Sequence, residues 1–189
     1  MILISKRALV TALLLSASTT ASAGVPAAAA IDAKGGVHMI RATGVGLTAE
    51  YAYCAGGCAR TGELKVAFEL EAPARGFSVA LGADGRPQLL IETRNRVHYA
   101  ACTGDCTRPD GWVRLIAVEH SGRFGLDGAG LAVAADGAAS FRIVPRAEED
   151  VPAGRAFVAS CAGDCTEPAR WTAHLDLSAA SAPPAVAAR

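Results

Sequence analysis

The chain has 189 residues, 51% of them hydrophobic and only 5% aromatic, with 18 basic residues against 18 acidic ones. That length supplies one core of ordinary size. With neither a basic stripe nor an acidic tail, charge gives no reason to expect a nucleic-acid or anionic-membrane partner.

The first element is a secretory signal over residues 1–23. Lys6 and Arg7 are followed by an apolar run from Ala8 to Leu15, broken only by Thr11, and then by Ala21-Ser22-Ala23, a small-x-small cleavage site before Gly24. The run is far shorter than the roughly 20 residues that a spanning helix needs. No Cys adjoins the cleavage site, so no lipid anchor is expected, and no later stretch could span a bilayer. The expected product is secreted or periplasmic, with no membrane contact after cleavage. Its 166 residues carry 16 basic and 18 acidic side chains.

After the signal one pattern comes three times. The copies read Tyr51-Ala52-Tyr53-Cys54 to Cys58, Tyr99-Ala100-Ala101-Cys102 to Cys106, and Val158-Ala159-Ser160-Cys161 to Cys165. Six residues after each second Cys stands a large apolar residue, Leu64, Trp112 or Trp171. A fixed spacing repeated at this period defines repeat units, here 26–72, 74–120 and 126–178 within a single domain, 24–178. Each unit opens with a strand that ends in a Gly turn, at Gly35, Gly85 and Gly137. Turns of the Asp-Gly kind between apolar runs signal hairpins, because Gly takes positive φ freely. Second strands follow at 37–41, 88–93 and 140–144, then a third strand carrying the first Cys, then a fourth opening at Leu64, Trp112 or Trp171. In the fourth strands Leu64, Val66, Phe68 and Leu70 face away from Lys65, Glu69 and Glu71, and Trp171, Ala173, Leu175 and Leu177 away from Thr172, His174 and Asp176, the period of a half-buried strand. The middle copy, Trp112 to Val118, alternates less cleanly, which predicts burial on both faces. Residues 145–152, with Glu148, Glu149 and Asp150, form a polar loop inside unit three. Residues 179–189 read as a disordered Ala/Pro tail. Helical periodicity is absent outside the signal.

The chemistry is sparse. A Gly-rich Cys-x-x-x-Cys turn can bring its Cα atoms into disulfide range, and export provides an oxidising compartment. One disulfide per unit is therefore expected: Cys54 with Cys58, Cys102 with Cys106, Cys161 with Cys165. Zinc held by two pairs would leave the third pair over, and active redox pairs usually have two intervening residues at a helix start. His38, His98, His120 and His174 are scattered over different strands with no triad spacing. Asp105 and Asp164 recur in the Cys turns, where a carboxylate either caps its own turn or binds calcium. Tyr51, Tyr53, Tyr99, Trp112 and Trp171 keep fixed register, which favours packing between sheets; exposed rings would instead make a ligand platform. No phosphate loop, dinucleotide fingerprint or nucleophile elbow is present, so no cofactor is expected.

The order small-Asp-Gly, Tyr-Ala-x-Cys, Cys, Trp resembles the cysteine-bearing, propeller-like repeats of secreted bacterial proteins. Thr107-Arg108-Pro109-Asp110-Gly111-Trp112 is also similar to the aspartate box of sialidase-type blades, a structural turn remote from catalysis. The resemblance implies an all-β fold of three four-stranded antiparallel sheets, each like a propeller blade. Since propellers close with four to eight blades, three units leave open edges. A homodimer could close a ring through those edges, or the loop and tail could cover them. The expected function is an exported, non-enzymatic binding or structural module for a protein or glycan ligand. The alternatives are a glycan hydrolase or lyase, which needs converging carboxylates, and a metal-binding module.

Overall fold

The computed structural model describes residues 27–44, 46–55, 64–146 and 156–176. The signal at 1–23, Cys58, the loop carboxylates Glu148, Glu149 and Asp150, and the tail at 179–189 lie outside the described residues, as does the side chain of Leu64. The described chain is all-β, in three antiparallel sheets. The first contains β1 (Ala27–Ile31), β2 (Val37–Thr43), β3 (Thr48–Cys54) and β4 (Leu64–Glu69) in chain order. The second contains β5 (Gly76–Leu81), β6 (Pro87–Glu92), β7 (Arg96–Cys102) and β8 (Trp112–Glu119) in the same order. The third contains β9 (Phe124–Leu126), β10 (Ala132–Val133), β11 (Ala139–Pro145), β12 (Ala156–Cys161) and β13 (Trp171–Asp176). Two single turns of 3-10 helix, Pro109–Gly111 and Pro168–Arg170, lead into β8 and β13. No described helix is long and apolar enough to cross a membrane. The described sheets form no closed barrel or ring.

The Gly turns are equivalent in geometry, with φ of +80° at Gly35, +76° at Gly85 and +85° at Gly137. Each closes the same backbone bond across the turn: Asp32 N to Gly36 O, Gly82 N to Arg86 O, and Ala134 N to Ala138 O. A side chain at these positions would be strained by its own Cβ.

The three sheets pack face to face. On the second sheet Leu89, Ile91, Ala100, Cys102 and Trp112 meet Ile40, Tyr51, Val66 and Phe68 of the first. Its other face, with Leu90, Val97, Tyr99 and Leu115, meets Phe141, Ile143, Ala159 and Trp171 of the third. Burial on both faces explains why Leu89-Leu90-Ile91 runs apolar without alternation. It also explains why no sheet is an independent unit, since each buries its apolar surface only against a neighbour.

Three expectations need correction. The third sheet has five strands where four were expected, because its first strand is split. Asp127-Gly128-Ala129-Gly130 interrupts it: the Asp127 carboxylate accepts from Ala129 N at 3.0 Å, and Gly130 sits at φ +69°. β9 and β10 then pair separately with β11, and the loop leans on β5, where Leu131 N donates to Ser78 Oγ at 2.8 Å. Second, β8 is not buried on both faces, since Ile116 is 38% exposed. Its pattern breaks at a bulge instead. Val97 pairs with Val118 but His98 with Ile116, which leaves Ala117 as the extra residue and flips the faces. Third, β13 is half-buried only at Trp171. Ala173 is exposed and Leu175 is 44% exposed, although both point to the same side as Trp171.

Candidate functional site

The cysteine turns are structural. Cys102 is bonded to Cys106 and Cys161 to Cys165, with Cα atoms 5.5 and 5.6 Å apart. Cys54 is disulfide-bonded as well; its expected partner is outside the described residues. A five-residue ring restrains the unfolded chain by about 2 kcal/mol in the loop-entropy model. The carboxylates of these turns are occupied by the turn itself. Asp105 Oδ1 accepts from Thr107 N at 2.9 Å and Oγ1 at 2.7 Å, and Asp164 Oδ1 accepts from Thr166 N at 3.0 Å and Oγ1 at 2.6 Å. Those hydroxyl bonds first, and the amide bonds second, hold both carboxyls below the usual range. No group of three or more His, Cys, Asp or Glu among the described residues is placed to hold a metal ion.

The six-residue spacing from Cys to Trp has a direct cause. Trp112 Nε1–H donates to the Cys106 carbonyl at 3.1 Å, and Trp171 Nε1–H to the Cys165 carbonyl at 3.0 Å. Each indole thus ties down its own Cys turn while its ring crosses to the preceding sheet. Trp112 lies 4.8 Å from Tyr51 and 5.4 Å from Phe68, and Trp171 lies 4.9 Å from Tyr99, centroid to centroid. Tyr51, Tyr99, Trp112 and Trp171 are therefore packing residues rather than an exposed platform, while Tyr53 is half-buried.

What remains is found by asking where one unit departs from the others. Strand register makes His38 equivalent to Gln88 and Ser140, and Tyr53 equivalent to Ala101 and Ser160. The turn makes Asp32 equivalent to Gly82 and Ala134. The three departures converge. In units two and three the turn is capped from its centre, by Asp84 to Arg86 N and Asp136 to Ala138 N, both at 3.0 Å. Unit one has Lys34 there, and Asp32 takes over the cap: its Oδ1 accepts from Lys34 N at 2.7 Å and from Gly36 N at 2.8 Å. Its Oδ2 is left facing the junction with the second sheet. Tyr53 OH donates to it at 3.2 Å, and His38 Nε2 stands 3.5 Å away without a well-aligned bond. His38 Nδ1 meets Tyr51 OH at 2.7 Å, the contact that Gln88 makes with Tyr99 OH in unit two. His38, Tyr51 and Tyr53 line a cleft of about 230 Å³ that Asp84, Arg86, Pro87 and Thr107 of the second sheet complete, with Asp32 behind the His38 and Tyr53 rings. At its edge Arg86 donates from Nη1 to the Thr103 carbonyl at 2.7 Å and lies 3.6 Å from Asp84.

The charge state follows from the surroundings. The Gly36 and Lys34 amides hold the Asp32 carboxyl below the ordinary range, so it is ionised. Burial lowers the pKa of His38, with Asp32 opposing, and the ring is neutral at pH 7. Burial raises both phenols, and the Asp32 bond adds to the effect at Tyr53. The cleft therefore presents the Asp84 carboxylate, the Arg86 guanidinium and neutral hydrogen-bonding rings, two of which, His38 and Tyr53, are backed by the Asp32 carboxylate. Along the chain His38 is one of four scattered histidines and Tyr53 one of five repeat aromatics; laying the three units on one another singles out Asp32, His38 and Tyr53 together.

The same shifts set a pH response. A histidine whose pKa is lower folded than unfolded binds its proton mainly in the unfolded chain, so its stabilisation is present above the unfolded value of about 6.5 and is lost as pH falls through it. His38 and His98 both have lowered values, through burial first. The melting temperature is expected to fall between about pH 7 and 5. In His38→Gln, which installs the residue of unit two, the fall should shrink without vanishing, because His98 remains. An unchanged pH profile in that variant would remove His38 from the account.

No protein-family model, curated protein or solved structure matches the chain.

Proposed function

We propose that this is an exported, non-enzymatic binding module built from three propeller-blade-like units, and that its ligand site is the cleft of His38, Tyr53, Asp84 and Arg86, with Asp32 holding the two rings. The observation that carries the reading is the joint departure of Asp32, His38 and Tyr53 from the repeat. Packing does not demand it, since the other units hold the same turn and strands with Gly or Ala, Gln or Ser, and Ala or Ser. Disulfide-bonded cysteines support an oxidising compartment and hence export. The ligand chemistry that suits a small polar cleft with an aromatic ring, a carboxylate and a guanidinium is a sugar residue of a glycan, bound by planar hydrogen bonding and ring contact.

A panel of immobilised oligosaccharides tests the proposal. The wild-type protein should retain at least one glycan, and both Tyr53→Ala and Arg86→Ala should lose it while remaining folded at the assay temperature, as read by circular dichroism. Retention of no glycan, or retention indifferent to both substitutions, refutes the assignment. Release of shortened or unsaturated products, read by mass spectrometry, would establish the enzyme reading in its place.

A further inference from the structure

The outer edge of the first sheet is open. β4 is the last strand of that sheet and pairs with β3 over six residues without a bulge. Two bonds fix which of its backbone groups face outward. Leu70 N donates to the Leu47 carbonyl at 2.9 Å, on the β3 side, whereas the Glu69 carbonyl accepts from Arg114 Nη1 at 2.5 Å, away from it. Successive residues of a strand turn their N–H and C=O to opposite sides. Ala67 therefore presents both groups to the open edge, as Glu69 does, and among the described residues nothing bonds to the Ala67 pair. An edge of this kind is a template for another strand.

The second sheet supplies a wall behind this edge. A groove of about 210 Å³ runs beside β4, with Val66, Phe68 and Trp112 as an apolar floor, exposed Pro109 on one side and exposed Arg114 at the Glu69 end. The Glu69 side chain turns to the other face of the sheet, as that of Ala67 does. Arg114 pairs with no carboxylate among the described residues. β8 also has a sheet behind its edge, but it differs twice. The bulge at Ala117 breaks its ladder, and its wall has Ala173 where β4 has Arg114. We propose that the β4 edge takes an extended peptide of a partner protein as a fifth strand, one with an acidic residue followed two positions later by a large apolar residue. The peptide residue opposite Ala67 exchanges both backbone bonds with it. Its two neighbours turn inward, one toward Arg114 and the other, opposite Val66, toward Pro109. Antiparallel addition, the more stable direction, puts the acidic residue first. The backbone then supplies affinity, and the alternate side chains supply specificity. Two other occupants fit less well. Residues 177–189 hold no acidic side chain. A second copy joined β4 to β4 would keep its own second sheet on the same side, and the two Pro109 turns would compete for the groove. The groove shares no lining residue with the polar cleft, and the proposal does not rest on that site.

The test uses the full chain, isotope-labelled, and a blocked peptide of threonines with one glutamate and, two positions later, one leucine. Titration followed by amide NMR should give saturable shifts at Ala67 and Glu69 and slow the exchange of both amides. Arg114→Gln keeps a donor for the Glu69 carbonyl and should weaken binding about five-fold, the worth of one exposed ion pair at the upper end of its range. The same peptide with glutamine for glutamate should bind both proteins alike. Ala67→Pro removes the outward N–H, a change an edge strand tolerates, and should abolish binding. If that variant unfolds, a peptide N-methylated between glutamate and leucine carries the same test and should not bind. Failure of the glutamate peptide to bind overturns the proposal. So does binding that survives both Ala67→Pro and N-methylation. An Ala67 amide already protected without peptide, through a dimer seen by light scattering or a tail removed by truncation after Asp176, gives the edge to another occupant and overturns it too. Equal binding of the glutamate and glutamine peptides to the wild type overturns the acidic preference.

Discussion

Replacing Trp112 by alanine is expected to lower the melting temperature by roughly 10 °C, because truncating a buried Trp costs about 3–5 kcal/mol and a chain of this size shifts by about 2–4 °C per kcal/mol. Trp112 is 9% exposed. Its ring fills the space between Tyr51 and Phe68 of the first sheet, and its Nε1–H secures the Cys106 carbonyl. Alanine would remove the packing, open a cavity and orphan the carbonyl together. The damage should be local first, because repeat units are coupled only to their neighbours. Amide exchange in β3 should rise well before exchange in β12. Trp112→Phe keeps most of the contact and loses the indole bond, so its loss should be about 1 kcal/mol. A shift under about 2 °C in Trp112→Ala would mean that the ring does not hold the first two sheets together.

The same lock shows how the ends of the stack differ from its middle. Tyr51 meets Trp112 and Tyr99 meets Trp171, so each junction uses a Tyr from one unit and a Trp from the next. Unit one has Leu64 in place of Trp and unit three has Val158 in place of Tyr. The two terminal units lack the half of the lock that an absent neighbour would need. The outward side of β11 and β13 carries Ser140, Arg142, Thr172, His174 and Asp176, with Arg142 3.1 Å from Asp176. A polar outer face is the mark of a capping repeat. Closure of a ring by a second copy through this lock would therefore set Leu64 against Val158, a far weaker contact than Tyr against Trp.

Much of this fold was legible because its signals are local. The Gly turns, the strand period of two and the Cys-to-Trp spacing each act within a few residues, and each located an element. The misreadings arose where long-range contacts decide. A bulge at Ala117 looks in sequence like a strand buried on both faces, and only its pairing with Val97 and His98 separates the two. The split of the inner strand into β9 and β10 depends on Ser78 of the neighbouring sheet receiving Leu131. The candidate site was hidden for a further reason. Asp32, His38 and Tyr53 are brought together by a turn and two strand pairings, so no spacing along the chain marks them as a group. The groove beside β4 is still harder to see, because its strand edge and its wall belong to different sheets.

Replacing Arg146 by methionine is expected to destabilise the protein by about 3–5 kcal/mol, the usual result of stripping the partner from a buried charge. Glu92 lies on the face of the second sheet that meets the third, with a side chain only 4% exposed. Its Oε2 accepts from Leu126 N at 3.0 Å, and its Oε1 is paired with Arg146, which in turn donates from Nε to the Phe124 carbonyl at 3.0 Å. Room for this pair comes from two glycines at equivalent positions of units two and three. A Cβ on Gly76 would stand 2.8 Å from Glu92 Oε2, and one on Gly125 would stand 3.2 Å from Oε1 and 3.1 Å from the Arg146 guanidinium. With methionine at 146 the buried carboxylate keeps the Leu126 amide as a donor and loses its charged partner. Glu92→Gln in the same chain should recover most of the loss, because the amide oxygen still accepts from Leu126 and no charge is left stranded. A double-mutant cycle over Arg146→Met and Glu92→Gln reads the coupling directly. A single-mutant loss below about 1 kcal/mol, the range of an exposed pair, would show that the pair is open to solvent and that the second and third sheets are joined by apolar packing alone.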